Sequence, residues 1–295
     1  MSEKRLPLPQ QIIFQLLAAF VAFTVLVPIL WVVSLSLDPR DLSRPPDFRL
    51  IPPGASLDAY KRVFDKPTNN PVTFTELALN QLKLAGGVAF FSVFIGIFAA
   101  YAFSRFEFAG RKILMLGMIM VLMLPGIATI APLFVMLNSI NINLGEIQFN
   151  LRNSLWGVGL AMVSGALPFS VWNLKGYLDT IPRELEEAAR IDGAGPNQTF
   201  FLIILPLAVP SIAVVGFLGF LGGWTEFALS WMFLTNPKDF TLAMSLYNMV
   251  GQYSADTPWS SFSAMALMVA TPVALVYLAL QKYIVGGLTL GGVKS

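Results

Sequence analysis

The chain of 295 residues contains no cysteine and no histidine. Without cysteine there are no disulfides or thiolate metal sites, and without histidine the commonest metal ligand and general base is missing. Charged residues make up only 12% of the sequence, about half the share of soluble domains, while 56% are hydrophobic. The composition predicts an integral membrane protein without a metal site, and the net charge of +2 gives no indication of nucleic-acid binding.

Six uncharged runs are long enough to cross a membrane, for which a helix needs about 20 apolar residues. The first, residues 11–37, is predicted to be a retained helix, because it is long and has no small-residue cleavage site of the signal-peptide type. The others are residues 84–104, 113–137, 154–174, 202–225 and 260–281. The predicted fold class is an all-α membrane protein with six transmembrane helices.

The distribution of basic residues predicts the orientation of these spans. The loops on the side of the N-terminus carry ten Lys and Arg residues. Apart from the long first loop, the opposite side carries only Arg152 and Lys238, with Lys83 at the border of the second span. Because cytoplasmic loops are enriched in Lys and Arg, both termini are predicted to be cytoplasmic. The resulting division is a cytoplasmic N-terminus (1–11), a first transmembrane helix (12–37), an external loop (38–75), a core of five spans (76–281) with a cytoplasmic loop at 175–206, and a cytoplasmic tail (282–295).

The spans also lack the groups that would power transport. No Asp, Glu, Lys or Arg falls inside the six runs, whereas ion-coupled carriers usually place such groups there. An intramembrane enzyme would need paired carboxylates or a metal site in the same region. The phosphate-loop pattern G-x-x-x-x-G-K-[ST] is also missing. These absences favour a pore-forming subunit driven by a separate motor over an ion-coupled carrier or an intramembrane enzyme.

Proline and glycine punctuate two of the spans. Pro125 and Pro132 interrupt the third run, where a missing backbone N–H can kink a helix. Gly216, Gly219 and Gly223 recur on one face of the fifth run, which predicts close packing against another helix.

The polar stretch between the fourth and fifth runs is predicted to contain a short helix. Thr180 and Pro182 are start signals, and Gly193 stands where a left-handed cap would end the helix. Helical spacing aligns Leu185, Ala188, Ala189 and Asp192, which predicts a face of low bulk that could enter a groove on another protein. The alternative is a solvated connecting helix.

The same stretch carries a spacing that resembles a known signature. Glu187-Ala188-Ala189, three residues, Gly193, nine residues, and Ile203-x-Leu205-Pro206 match the EAA motif of permease subunits of binding-protein-dependent ABC importers. The segments YAFSRFEFAGRK (101–112) and GGLTLGGVKS (286–295), together with the polar segment after the first span, resemble MalG-type subunits of maltose and related oligosaccharide importers.

This resemblance implies a type I (MetI-like) importer permease in a prokaryotic plasma (inner) membrane. It implies three partners besides membrane lipid: a second, MalF-like permease, a MalK-like ATPase homodimer and an external solute-binding protein. The chain itself would be a transporter subunit rather than an enzyme and hold no cofactor, since ATP and magnesium would bind to the ATPase. The implied substrate is maltose, maltodextrin or a related sugar such as trehalose. A permease for a different solute class, or an ion-coupled carrier, is the alternative.

The resemblance also assigns expected roles to residues. Those expected to couple to the ATPase are Glu187, Ala188, Ala189, Asp192, Gly193, Ile203, Leu205 and Pro206. Those of the tail expected at the ATPase interface are Gly291, Gly292, Val293 and Lys294. Those of the outer loop expected to contact the binding protein are Gln252, Tyr253, Ser254, Ala255, Asp256, Thr257 and Pro258.

No residue is assigned to the substrate. Asn138, Ser164 and Asn173 are candidates for lining a path, although packing between helices is the favoured interpretation for such residues. A second group, Trp224, Glu226 and Trp231, is expected at the outer interface, where the carboxylate need not lose water. They are not predicted to be ligands.

Overall fold

The computed structural model describes residues 7–42, 49–144, 147–250 and 257–292. The chain divides into two compact units, one formed by residues 1–74 and 246–270 and the other by residues 75–245 and 271–295. Helices dominate the described residues, which confirms the predicted fold class. One short antiparallel hairpin is added to it, with β1 (Asn141–Leu144) paired to β2 (Ile147–Asn150).

Within the described ranges, four helices are long and apolar enough to cross a membrane, and two bent helix pairs bring the total to as many as six spans. The four are α1 (Leu8–Ser36), α3 (Phe74–Arg105), α6 (Leu155–Leu178) and α13 (Trp259–Gly292). The first bent pair is α4 (Arg111–Leu122) with α5 (Gly126–Ser139), at 103°. The second joins Pro196–Leu207 to α10 (Val209–Trp224), at 71°.

The bends account for the proline signals in the sequence. Pro125 caps the N-terminus of α5 at the first bend, whereas Pro132 lies inside α5 without ending it. The second bent span begins with α8 (Pro196–Thr199), a π-helical turn (Phe200–Ile204) and α9 (Leu205–Leu207). Pro206 has no N–H to donate to the preceding turn, so one bond of the helical ladder is missing where the π-helical turn gives way to α9. Irregular backbone therefore marks the point where the polar loop leads back into a span.

In the first unit, α1 is exposed along nearly its whole length, and none of its most apolar 18-residue window is buried. The loop after α1 contains a short helix, α2 (Asp58–Asp65). Asp41, which has a φ of +47°, accepts a hydrogen bond from the Ser260 N–H at 2.8 Å and forms a 3.2 Å ion pair with Arg62 of α2. This carboxylate therefore satisfies a free N–H in the first turn of α13.

In the second unit, the glycines of α10 allow the close packing that their spacing predicts. A Cβ at Gly219 would lie 3.0 Å from the Ala89 Cα, and one at Gly223 would lie 2.6 Å from the Ala85 Cα. Helices α3 and α10 thus pack closely, with their backbones in van der Waals contact at these glycines. The remaining elements after α10 are α11 (Ala228–Phe233), a 3₁₀ turn (Pro237–Asp239) and α12 (Leu242–Asn248).

The helices extend beyond the uncharged runs, as polar turns at a membrane interface can continue a helix. Helix α3 starts at Phe74 rather than at residue 84, and α13 continues to Gly292. Residues 282–292, which belong to the predicted cytoplasmic tail, thus continue the helix of the last span.

Candidate functional site

The predicted short helix in the loop between the fourth and fifth spans is present as α7 (Glu184–Ile191). Three carboxylates lie in its first turn and Arg190 in its last, an arrangement that the helix dipole favours at both ends. Asp192 caps the C-terminus and is followed by Gly193 at a φ of +86°. The N–H of Gly193 bonds to the Arg190 carbonyl at 3.1 Å, and the N–H of Ala194 bonds to the Ala189 carbonyl at 2.9 Å. These two bonds form a Schellman motif, so the prediction of a left-handed glycine cap is confirmed.

The two faces of α7 differ in their surroundings. The inner face carries Glu186 and Ala189, which are only 4% and 5% exposed. The outer face carries Leu185, Glu187, Ala188 and Ile191, all exposed, with Ile191 at 87%. The predicted small face is therefore partly wrong, because Ala189 turns inward, where its size allows α7 to pack close to its own chain. Ile191, which the pattern of small residues did not include, stands on the outer face instead.

A buried ion pair fixes the inner face of α7 to the end of α3. The Arg105 Nε bonds to the Glu186 Oε1, and both side chains are about 7% exposed or less. Arg105 also donates to the Ile181 carbonyl at 3.0 Å, and the Tyr101 hydroxyl donates to the Glu186 Oε2 at 3.3 Å. Since each buried charge has a partner and further hydrogen bonds, α7 is held in one orientation on the span.

A second polar cluster ties the end of α6 to the same point. The Asp179 carboxylate accepts from the Ser104 Oγ at 2.6 Å and from the Lys175 Nζ at 2.5 Å. Burial acts to raise the pKa of Asp179, but these two bonds and the charges of Lys175 and Arg105 outweigh it and hold the pKa below its usual value. The carboxylate is therefore ionised at neutral pH, and α3, α6 and α7 meet in one charged network.

This charged network was not predicted from the sequence. Glu186 lies three residues before Ala189, so the helical repeat places both side chains on the same face of α7. A carboxylate is nevertheless expected to be exposed to solvent unless a basic partner can be identified. That partner, Arg105, is 81 residues away in sequence. An Arg at the end of an apolar run was the single available signal.

The structure distributes the other expected coupling residues over the re-entry segment. Ile203 lies half-buried in the π-helical turn, Leu205 is half-buried at the start of α9, and Pro206 is exposed. They follow α7 along the chain but do not share its outer face. Of the outer-loop residues, Thr257 is buried and Pro258 half-buried, while Gln252, Tyr253, Ser254, Ala255 and Asp256 lie outside the described residues. In the tail, Gly291 and Gly292 end α13, and Val293 and Lys294 lie outside the described residues.

Glu226 differs from its expected setting at a wet interface. It is 8% exposed, and its carboxylate accepts from the Leu229 N–H at 2.6 Å, the Ser230 N–H at 3.0 Å and the Ser230 hydroxyl. The expectation that it stays hydrated is wrong, because the free N–H groups of α11 replace water as its partners. Trp224 is likewise buried at 4%, whereas Trp231 is 44% exposed.

The three polar candidates for a solute path are hydrogen-bonded within the chain. Asn138 accepts from Arg152 at 3.0 Å, the Ser164 hydroxyl donates to the Ala161 carbonyl at 2.7 Å, and Asn173 accepts from the Ser211 hydroxyl at 3.0 Å. Of the three, the bond between Asn173 of α6 and Ser211 of α10 joins two helices and agrees with the packing interpretation, whereas Asn138 and Ser164 are exposed.

Up to six apolar spans and a capped helix clamped to them by charge define a polytopic membrane subunit with a preformed loop surface. The chain matches the family model of the binding-protein-dependent transport system inner membrane component over residues 92–289, and it belongs to this family. The resemblance to permease subunits is thereby confirmed, and so is the expectation that the chain is a transporter subunit rather than an enzyme.

Individual relatives align along nearly the full length. The chain is 36% identical to the galactooligosaccharides transport system permease protein GanQ of Bacillus subtilis over 280 residues, 95% of this chain and 94% of that protein. It is 35% identical to the maltose/maltodextrin transport system permease protein MalG of Escherichia coli over 289 residues, again 95% and 94%. A chain from the crystal structure of a bacterial ABC transporter that imports alginate superposes with a TM-score of 0.76, covering 93% of this chain and 96% of that one at 22% identity, which supports the fold.

Proposed function

We propose that this chain is one of two permease subunits of an ATP-driven importer for neutral oligosaccharides of the maltodextrin type, and that α7 couples it to a separate ATPase. The observation that carries the proposal is the outer face of α7. Leu185 and Ile191 expose apolar side chains on a helix outside the spans, beside the exposed carboxylate of Glu187. An exposed apolar surface rimmed by charge is typical of a protein contact.

The ion pair on the inner face of α7 would allow such a contact to act on the transmembrane helices. Because Arg105 and Glu186 join α7 to α3, a displacement of α7 by a bound partner is passed to a transmembrane span rather than absorbed by a loose loop. The proposed partners are an ATPase homodimer that holds ATP and magnesium, a second permease and an external solute-binding protein. The tail from Gly291 to Lys294 would also reach the ATPase.

The named relatives leave two classes of sugar open as the substrate. GanQ and MalG have nearly the same identity to this chain, at 36% and 35%, so galactooligosaccharides stand beside maltodextrins as substrates. The maltodextrin type is preferred because the 101–112 turn and the 286–295 tail resemble MalG-type subunits. Uptake of labelled maltodextrin and galactooligosaccharide by cells with the complete importer would separate the two; uptake of the latter alone contradicts the preference.

Charge reversal at Glu187 tests the coupling. Glu187→Lys is expected to leave the permease inserted but to weaken retention of the ATPase in mild detergent by about tenfold or more, as loss of a charge-assisted contact would. Glu107→Lys, the same change at an exposed carboxylate of the turn before α4, is the matched control and should retain the ATPase. Normal retention and sugar uptake with Glu187→Lys would remove α7 from the coupling.

The proposed orientation places both termini and α7 in the cytoplasm, on the basis of the Lys and Arg distribution. Because the chain lacks cysteine, Gln198→Cys and Ser43→Cys can each be labelled without background. An impermeant reagent should label intact cells at position 43 and not at position 198. The reverse pattern contradicts this orientation.

The outer loop from Gly251 to Trp259 is proposed to contact the binding protein, because in the resembling family the loop before the last span does so. A Gly/Ser linker in its place should abolish stimulation of ATP hydrolysis by the binding protein while the complex still assembles. Undiminished stimulation would exclude the loop from this role.

A further inference from the structure

A polar cavity of about 600 Å³ lies beside the charged network at the base of α7. It is formed where three helices end or begin: α3 at Arg105, α4 at Arg111 and α7 at Glu184. Three arginines, at positions 105, 111 and 183, line it together with Asp179 and Glu184. Its volume falls within the range of pockets that hold small ligands.

The three arginine side chains of this cavity differ in how fully their charges are paired. Arg105 is bonded to Glu186, and Asp179 is bonded to Lys175, so these charges are paired. Among the described residues, the Arg111 guanidinium group has neither a hydrogen bond nor an ion pair, and the Arg183 guanidinium group has a single hydrogen bond, to the Ser104 carbonyl at 3.3 Å. Against these two guanidinium groups stands one carboxylate, that of Glu184. The cavity thus offers donors for an anion, and a guanidinium group suits the paired oxygens of a phosphate.

The surface next to the cavity is apolar. Directly after Arg111, the α4 side chains of Ile113 and Leu114 are 75% and 53% exposed, and Phe106 in the preceding turn is 56% exposed. Helix α4 is the first half of a candidate span, so this exposed face belongs at the depth of lipid tails. A ligand that fills the cavity and follows this face needs an anionic head and a hydrocarbon chain.

We infer that the cavity binds the phosphate headgroup of an anionic membrane lipid between Arg111 and Arg183, with an acyl chain lying on the exposed face of α4. Basic pockets between transmembrane helices are suited to such headgroups. Since Arg183 caps the N-terminus of α7 and Arg111 begins α4, the lipid would link the loop helix to the broken span. Free phosphate shares the headgroup chemistry, but it would make no use of the apolar face.

The inference is tested on the full chain in detergent, with dioleoyl phosphatidylglycerol as the probe and the thermal unfolding midpoint as the readout. Phosphatidylglycerol should raise the midpoint more than dioleoyl phosphatidylcholine at equal concentration. Arg111→Gln should weaken the apparent affinity for phosphatidylglycerol about tenfold, the scale of one charge-assisted hydrogen bond. Arg111→Lys keeps the positive charge but loses the planar guanidinium group, so its apparent affinity for phosphatidylglycerol should lie between those of the unchanged protein and Arg111→Gln.

Lys112→Gln is the matched control, because Lys112 is an exposed neighbouring cation that does not line the cavity. It should change the affinity less than twofold. Equal losses at positions 111 and 112 would overturn the inference in favour of general surface attraction. So would equal effects of the two lipids, and an equal stabilisation by inorganic phosphate would identify the ligand as a soluble anion instead.

Discussion

The two faces of α7 carry the same kinds of residue in different settings. Glu186 and Ala189 are buried against their own chain, whereas Glu187 and Ala188 are exposed. Neighbouring residues of the same type thus differ in their surroundings: one pair lies against the chain itself, and the other belongs to the exposed surface that is proposed to contact the ATPase. Glu187, the glutamate of the EAA signature, is therefore not the one that forms the buried ion pair.

The largest difference between the faces is expected at the two glutamates. Glu186→Ala would leave Arg105 buried without its counter-charge, which costs about 3–5 kcal/mol of folding stability. Glu187→Ala, at the exposed position, should change stability by less than about 0.5 kcal/mol. Thermal unfolding in detergent measures both. The double variant Arg105→Met with Glu186→Met should recover much of the loss, and similar stabilities of the two single variants would contradict the assigned faces.

A smaller contrast is expected at the two alanines. Ala189→Leu would overpack the inner face and should destabilise the chain by about 1–3 kcal/mol. Ala188→Leu adds the same atoms on the outer face, so stability should be unchanged while ATPase retention falls. Unfolding and co-purification, measured side by side, separate the two effects; a stable Ala189→Leu variant would show that the inner face has room to spare.

The smallest contrast concerns the glycines after α7. Gly193→Ala places an L residue at a φ of +86° and should cost about 1–2 kcal/mol. Gly195 has an ordinary φ of −72°, and an added Cβ there would make an ordinary contact of 3.8 Å with the Gln198 side chain. Gly195→Ala should therefore leave the unfolding midpoint unchanged, and an equal loss at both positions would show that local crowding, rather than handedness, sets the requirement.

Much of the fold could be predicted from the sequence because its signals are local. About 20 consecutive apolar residues show a span wherever they occur, and Pro125 marks a bend through its own missing N–H. The cap at Gly193 is equally local, since the carboxylate-rich start, the helical length and the glycine lie within ten residues. These features need no knowledge of what packs nearby.

Two buried carboxylates could not be predicted, for different reasons. The burial of Glu186 requires Arg105, which is 81 residues away at the end of α3. The partners of Glu226 are local, the N–H groups of α11 three and four residues further along, but the sequence carries no clear signal that a helix begins there. In both cases the sequence shows a carboxylate, for which exposure is the ordinary expectation. The sequence likewise does not show that α13 stays helical past Lys282 to Gly292, because the end of an uncharged run does not mark the end of a helix.

The turn at Gly193 selects for handedness and not for size. Apart from the glycine and its two chain neighbours, no heavy atom of the described residues lies within 4 Å of the position that a Cβ would occupy there, so these residues leave room for a side chain. A D-alanine introduced by chemical ligation would adopt the positive φ without strain, as the mirror image of an L residue in its preferred region. A loss of transport in that D-alanine protein could then be attributed neither to backbone strain nor to crowding within the chain. It would instead indicate that a partner protein contacts the loop closely at this position.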